Sequence, residues 1–314
     1  MKLKLIICFV GALFFIPFSY ADEATQTKID STQKYLHLQK KAIAKLHRTI
    51  EKVTPPGKSV LEEKINKQKE AVNNPISFIL YRPTYILPYY YTASPDFGIY
   101  QTPQGLPPNN QNIMRNEFKA QLSFFVPIIP VVFRNPNLSL NLAYTQLNYW
   151  QVYAKSQYFR ETNYEPEIFF EDHFHRNWLL RLGLDHQSNG RGGQLERSWN
   201  RAISTLQVSG GNWLIGLKAW ALLDHGQFTP GIAHYLGYEH LSFSYKLKNV
   251  IASIQLQNIE SGLSRGSIEV TLSYPVLKHI SLYGQYFSGY GQSLIEYNHK
   301  TQAAGIGISF NDWI

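Results

Sequence analysis

From Pro75 onward, apolar and polar residues alternate along the chain with a period of two. In Leu241-Ser242-Phe243-Ser244-Tyr245-Lys246-Leu247-Lys248 every odd position is apolar or aromatic and every even one polar, which is a strand with two chemically different faces. Comparable stretches fall near 77–91, 117–127, 137–151, 165–174, 177–188, 197–209, 211–221, 235–247, 249–258, 265–276, 278–288 and 301–310, about twelve predicted strands. Residues 22–75 follow a different rule. Leu36, Ile43 and Ile50 recur every seventh residue, with Leu46 and Val53 at the complementary position, drawing an apolar stripe down a helix that Gln39 interrupts. Pro55-Pro56-Gly57 breaks the segment, and Ser59-Val60-Leu61-Glu62 has the capping-box pattern that starts a second helix carrying Leu61, Ile65 and Val72. The region reads either as a helical or coiled arm able to self-associate or as a solvated extension.

So many strands fit a soluble sandwich with a dry interior or a closed membrane barrel whose apolar face meets lipid. Strand length favours the barrel, because many stretches run about ten residues, enough to cross a bilayer when tilted. Composition points the same way: Tyr 21, Phe 18 and Trp 6 give 14% aromatics against 17% charged residues, a balance suited to strands and interfacial belts. Lys2 and Lys4, the apolar run Leu5–Pro17 and the small-residue site Ser19-Tyr20-Ala21 read as a secretory signal over 1–21, so the mature chain is expected to begin near Asp22. The single cysteine, Cys8, lies inside that signal, which excludes disulfide or thiol chemistry from the mature protein. Beyond the signal, the longest apolar run, near Leu122–Phe133, is broken by Pro127 and Pro130 and falls short of a spanning helix. A net charge of +8 on an exported chain suits an anionic lipid surface better than nucleic acid. The expected architecture is all-β: a twelve-stranded antiparallel transmembrane β-barrel over 76–314, with an N-terminal helical extension over 22–75.

The candidate chemistry lies in Leu184–Asn200, LDHQSNGRGGQLERSWN. A His-x-Ser pair occurs at His186/Ser188, His240/Ser242 and His279/Ser281, so the pattern alone has little specificity. Parity separates the three. The second and third pairs share a face with polar residues and are expected to look into the lumen. His186 and Ser188 continue the face of Leu182 and Leu184, while Arg181, Asp185 and Gln187 take the other. Either this outward pair has a function that offsets its cost near lipid, or the strand has left the membrane there and both residues are hydrated. A hairpin centred on Gly193 sets Asn200 opposite His186. Ser188 can then act as nucleophile, His186 as its base and Asn200 as the group fixing the tautomer. Peptide N–H groups around Asn189-Gly190 could receive an oxyanion. The Glu196 carboxylate and carbonyls near Arg191 offer hard oxygens of the kind calcium takes, although a lone loop glutamate is more often simply solvated.

These residues stand in longer motifs. HQSNGR (186–191) and RSWNR (197–201), with YTQLNYWQ (144–151), FRETNYEP (159–166), GNWL (211–214), LSYPVLKHISLYGQYFSGYGQSLIEYN (272–298) and FND (310–312), resemble the outer membrane phospholipase A family of Gram-negative bacteria over roughly 75–314. The helical extension over 22–75 lies outside the resemblance and is expected in the periplasm; the resemblance implies a twelve-stranded outer-membrane barrel. It implies an outward-facing Ser188–His186–Asn200 triad, a Gly190 oxyanion donor, and calcium-dependent hydrolysis of acyl esters in glycerophospholipids and lysophospholipids. It further implies a homodimer in which Ser156 of one chain completes the calcium site of the other, with Arg191 and Glu196 as further ligands and Gln146 at the interface. Glu196 departs from the family's serine, and Gly193 stands where the family has an aspartate of a second calcium site. The rival expectation is a non-catalytic barrel, a channel or an adhesin, in which the hairpin is only a loop.

Overall fold

The computed structural model describes residues 78–262 and 264–311, together with His37, Lys41, Leu61 and Glu62. The predicted signal and nearly all of the 22–75 arm lie outside the described residues. Of the unit Met1–Val53 only His37 and Lys41 are described, both helical and exposed. The barrel belongs to the unit Thr54–Ile314.

One antiparallel sheet contains every strand among the described residues: β1 (Ile79–Leu80), β2 (Thr84–Thr92), β3 (Asn116–Ile129), β4 (Leu138–Trp150), β5 (Phe159–His175), β6 (Trp178–Ser188), β7 (Ser198–Ser209), β8 (Trp213–His225), β9 (Glu239–Leu247), β10 (Val250–Gln257), β11 (Ser267–Leu277), β12 (Ile280–Tyr290) and β13 (Lys300–Asn311). Each strand from β3 to β13 pairs with its sequence neighbour, and β13 pairs with β2, which closes the barrel. β1 and β2 are two pieces of one stave, both paired with β3 and interrupted at Arg82-Pro83, where proline has no N–H to give the ladder. The barrel therefore has twelve staves. Connections at one end are short, such as 176–177, 248–249 and 278–279, whereas those at the other are longer, such as 93–115, 189–197 and 226–238. The 226–238 connection carries a short helix, α1 (Ile232–Leu236).

The faces are inverted relative to a soluble protein. Leu122, Leu142, Leu184, Leu272 and Ile306 are exposed on the outside, while Lys119, Asn141, Glu165, Glu167, Arg181, Asp185 and Arg201 are buried within. This is the pattern of a barrel whose solvent is hydrocarbon. Exposed Tyr89, Tyr91, Tyr153 and Phe159 ring the end with the long connections, and Phe133, Phe174 and Tyr274 the opposite end, as interfacial belts do. No helix among the described residues is long and apolar enough to cross a membrane.

The interior is held by polar contacts. Arg160 spans to Glu117 and Glu296, each at 2.8 Å, and to the Tyr100 hydroxyl. Arg201 reaches Asp185 at 2.7 Å and Glu165 at 2.9 Å, Lys218 reaches Asp185 at 2.8 Å, and Arg82 reaches Glu165 and Glu167. Arg181 pairs with Glu171 at 2.7 Å. These charges avoid the cost of isolated burial because each has an oppositely charged partner. A cavity of about 290 Å³ remains among them. At the end with the short turns, Leu61 is buried against Leu179 and its N–H donates to Ser209 Oγ at 3.2 Å, while Glu62 pairs with Arg176.

Three expectations need correction. The strand expected at 165–174 begins at Phe159, because Arg160, Glu161, Asn163 and Glu165 find partners inside and need no apolar alternation to keep them in the sheet. The strand expected at 235–247 begins at Glu239, since Tyr235 and Leu236 belong to α1. His279 does not look into the lumen: it is exposed in the 278–279 turn, and only Ser281 is buried. His240 and Ser242 do point inward, with the His240 ring on Gln255 Oε1 at 2.9 Å.

Candidate active site

The β6–β7 hairpin divides by parity. Leu182 and Leu184 are 45% and 53% exposed, whereas Arg181 and Asp185 are each 3% exposed, so even positions of β6 face outward and odd ones inward. His186 and Ser188 follow the even positions and are half-buried at the end of β6 with the long connections. Asn200 lies directly across from His186 in an uninterrupted ladder. His186 Nδ1 and Asn200 Oδ1 are 2.8 Å apart. An amide oxygen only accepts, so Nδ1 carries the proton and Nε2 keeps its lone pair for a neighbour. Ser188 lies two residues along the same face, but its hydroxyl makes no hydrogen bond among the described residues. Substrate-free geometry of this kind is common, because such contacts often tighten only with substrate in place.

The 189–197 connection is built around the side chain of Asn189, to which the sequence assigned only a backbone role. Asn189 is buried, its Nδ2 donates to the Leu195 carbonyl at 2.9 Å, and its Oδ1 accepts from the N–H groups of Arg197 at 2.9 Å and Arg191 at 3.3 Å. Leu195, which sequence reasoning passed over, packs with Tyr100, Ile113 and Ile295 and so pins the connection to two others. The signal for Asn189 was its position after Ser188 at the head of a glycine-rich turn, where a side-chain amide can stand in for missing backbone partners. Leu195 was legible as the one large apolar residue of the loop.

Gly190 has φ +63°, a conformation that any side chain strains, and a Cβ there would meet the Tyr164 ring at 2.9 Å. Its N–H makes no hydrogen bond among the described residues, so it is available to a ligand. Tyr164 is itself the cross-strand partner of Ser188. It walls the same outward surface, and only the closed register reveals that.

The other expected residues are more dispersed. The Glu196 carboxylate accepts from Ser198 Oγ at 3.3 Å, beside Gly226 of the next connection. The Arg191 side chain is turned inward, with Nε on Glu161 at 3.2 Å and a second nitrogen on the Arg160 carbonyl, so any contact it offers a cation comes from its backbone. Ser156 sits in the 151–158 connection, its backbone clamped by the Gln111 amide, and makes no hydrogen bond to Arg191 or Glu196 among the described residues. Gln146 lies on the outward face of β4, where it accepts from the Tyr144 hydroxyl at 2.8 Å and donates to Asn148 at 2.9 Å.

Around these loops, burial would push the Glu296 carboxyl up, but the Arg160 guanidinium and the Ser293 hydroxyl hold it below the ordinary carboxylate value. Glu296 also accepts from the Asp96 N–H. Its ionised form thus ties the 93–115 and 291–299 connections to the barrel beside the candidate site.

Comparison with known proteins agrees with this geometry. A family model described as Phospholipase A1 matches residues 61–310. The phospholipase A1 of Salmonella typhimurium is 40% identical over 212 residues, 65% of this chain and 72% of the relative. That of Escherichia coli K12 is 39% identical over 211 residues, 64% and 72% respectively. Among solved structures, the Salmonella typhi outer membrane phospholipase, a dimer with bound calcium, has a TM-score of 0.71 at 35% identity and covers 78% of this chain and 96% of its own. An asparagine-to-alanine active-site mutant of the Escherichia coli enzyme gives 0.72 at 33%, covering 81% and 99%. With an outward polar hairpin on a closed twelve-stave barrel, and relatives of this identity over most of its length, the chain belongs to the phospholipase A1 family of outer-membrane β-barrel enzymes.

Proposed function

We propose that this protein is a calcium-dependent phospholipase acting on acyl esters of glycerophospholipids and lysophospholipids from the lipid-facing side of the barrel, with Ser188 as nucleophile, His186 as base and Asn200 as the orienting residue. The observation that carries the reading is the 2.8 Å contact of His186 Nδ1 with Asn200 Oδ1 on the outward face. With the Nδ1 proton held there, Nε2 takes the Ser188 proton as Oγ attacks the ester carbonyl. The tetrahedral oxyanion points to the Gly190 N–H. Protonated His186 then gives its proton to the departing alcohol, leaving an acyl-serine and a lysophospholipid. Water, deprotonated by the same imidazole, attacks the acyl-serine and releases the fatty acid. Asn200 orients the imidazole through a neutral amide oxygen, which accepts a hydrogen bond from the Nδ1 N–H.

The donor set fits a calcium ion by its chemistry. Glu196 supplies a carboxylate and Arg191 a carbonyl, and the Ser156 hydroxyl has no partner among the described residues; all are hard oxygens. When bound, calcium supplies positive charge near the developing oxyanion. Because Ser156 does not meet Glu196 within one chain, its role is read as that of a ligand given to a second copy. Dimerisation is also supported by the outward row Tyr144–Gln146–Asn148. Polar groups facing hydrocarbon are costly unless a second surface covers them. The rival channel reading is disfavoured by the ion pairs that cross the lumen, Arg160–Glu296 and Arg82–Glu165.

The test is hydrolysis of phospholipid in mixed micelles by refolded protein, with calcium or with a chelator. Fatty acid release that the chelator abolishes is expected. No release in either condition, or release indifferent to the chelator, would reject the proposal.

A further inference from the structure

Asn200 has neighbours on both sides. On β6 it faces His186, and on β8 its cross-strand partner is Asp224. The second pairing depends on an irregularity. The ladder runs regularly from Ser209↔Leu214 to Arg201↔Leu222, and one more regular step would bring Leu223 opposite Asn200. Instead the register shifts between Asn200 and Arg201, Leu223 is bulged out, and Asp224 takes the position. Bulges of this kind re-aim a side chain, and they are common beside active sites. Here the effect is to replace a leucine by an exposed carboxylate on the outward face, in one row with His186 and Asn200.

The row answers a question that the His186–Asn200 contact leaves open. An asparagine amide can present either its oxygen or its nitrogen to a neighbour, and only the oxygen orients the imidazole as a base. The Asn200 Nδ2 has no hydrogen-bond partner among the described residues, and neither has the Asp224 carboxylate. Directly opposed residues in an antiparallel pair have Cβ atoms about 5 Å apart, within reach for an amide and a carboxylate. The adjacent His225 is engaged elsewhere, with Nδ1 at 3.0 Å from the Gly226 carbonyl. A carboxylate accepts and never donates, so it selects the amide orientation that turns Nδ2 toward Asp224 and Oδ1 toward His186.

We propose that Asp224 is a positioning residue of the hydrolytic site, accepting a hydrogen bond from Asn200 Nδ2 and thereby holding Asn200 Oδ1 on His186. The inference rests on the proposed triad. It differs from that triad in acting through Asn200 alone: Asp224 touches neither substrate nor the reacting atoms.

The experiment compares full-length parent, Asp224→Ala, Asp224→Asn and Ser188→Ala in mixed micelles at saturating calcium, with thermal unfolding recorded for each. Asp224→Ala is expected to lower kcat about tenfold with KM and unfolding temperature unchanged, the mark of an interaction that matters in the transition state. Asp224→Asn still offers an amide oxygen and is expected to stay within about threefold of the parent. In an Asn200→Ala background, Asp224→Ala should cost nothing further. Parent-like kcat in Asp224→Ala, a loss confined to KM, equal losses in the Ala and Asn variants, or additive losses with Asn200→Ala would each overturn the assignment. If the parent itself is inactive, or Ser188→Ala remains active, the proposed function fails first; an active parent with a silent Asp224→Ala sinks only this inference.

Discussion

The two faces of the β6–β7 hairpin share a backbone and differ in everything else. Inward, Arg181, Asp185 and Arg201 are buried and paired, and Arg201 also stacks 4.0 Å from the Trp199 ring centre. Outward, at the same height, His186, Ser188 and Asn200 are half-buried and carry a single side-chain hydrogen bond between them. The inward face is held by ion pairs between adjacent strands. The outward face retains unsatisfied donors and acceptors, the Gly190 N–H and Ser188 hydroxyl among them, for a ligand to complete. A membrane barrel can separate the roles this way because its polar core and its apolar solvent lie on opposite sides of one strand, one residue apart.

The contrast breaks most forcefully from the inside. Arg201→Met leaves Asp185 and Glu165 short of a partner in the lumen, and about 3 kcal/mol of stability should be lost, measured by urea unfolding of the detergent-folded protein. Activity per folded molecule should change little. The outward face responds in the opposite sense: Asn200→Ala should lower kcat about 100-fold while leaving the unfolding transition in place. A large stability loss in Asn200→Ala would place that residue with the inward, structural set. Smaller still is the effect expected at the rim. Glu196→Ser removes a carboxylate, so the calcium concentration for half-maximal activity should rise about tenfold, read from a titration of activity against free calcium. An unchanged midpoint would remove Glu196 from the ligand set.

How far these features were legible varies along the chain. Leu241–Lys248 announced its two faces directly, and the symmetric glycine-centred turn fixed His186 opposite Asn200, because register in a short hairpin is a local property. The segment 159–164 was missed as strand, since its inward residues are charged and the partners of Arg160, Glu117 on β3 and Glu296 in the 291–299 connection, are far away in sequence. Tyr164 was likewise invisible as a neighbour of Ser188 until β5 and β6 were paired. The bulge at Leu223 has no local signature, so nothing in the sequence brought Asp224 to Asn200. His279 was misread because parity was extended through what is a turn. Alternation reports which way a residue points, and closure of the barrel decides what it meets.

Catalysis on the outward face is tested most directly by Ser188→Ala. In the calcium-supplemented micelle assay, the folded Ser188→Ala protein should lose at least about 10³-fold in kcat relative to the parent, with the same unfolding transition and calcium binding. A folded Ser188→Ala protein that hydrolyses phospholipid at the parent rate would contradict it.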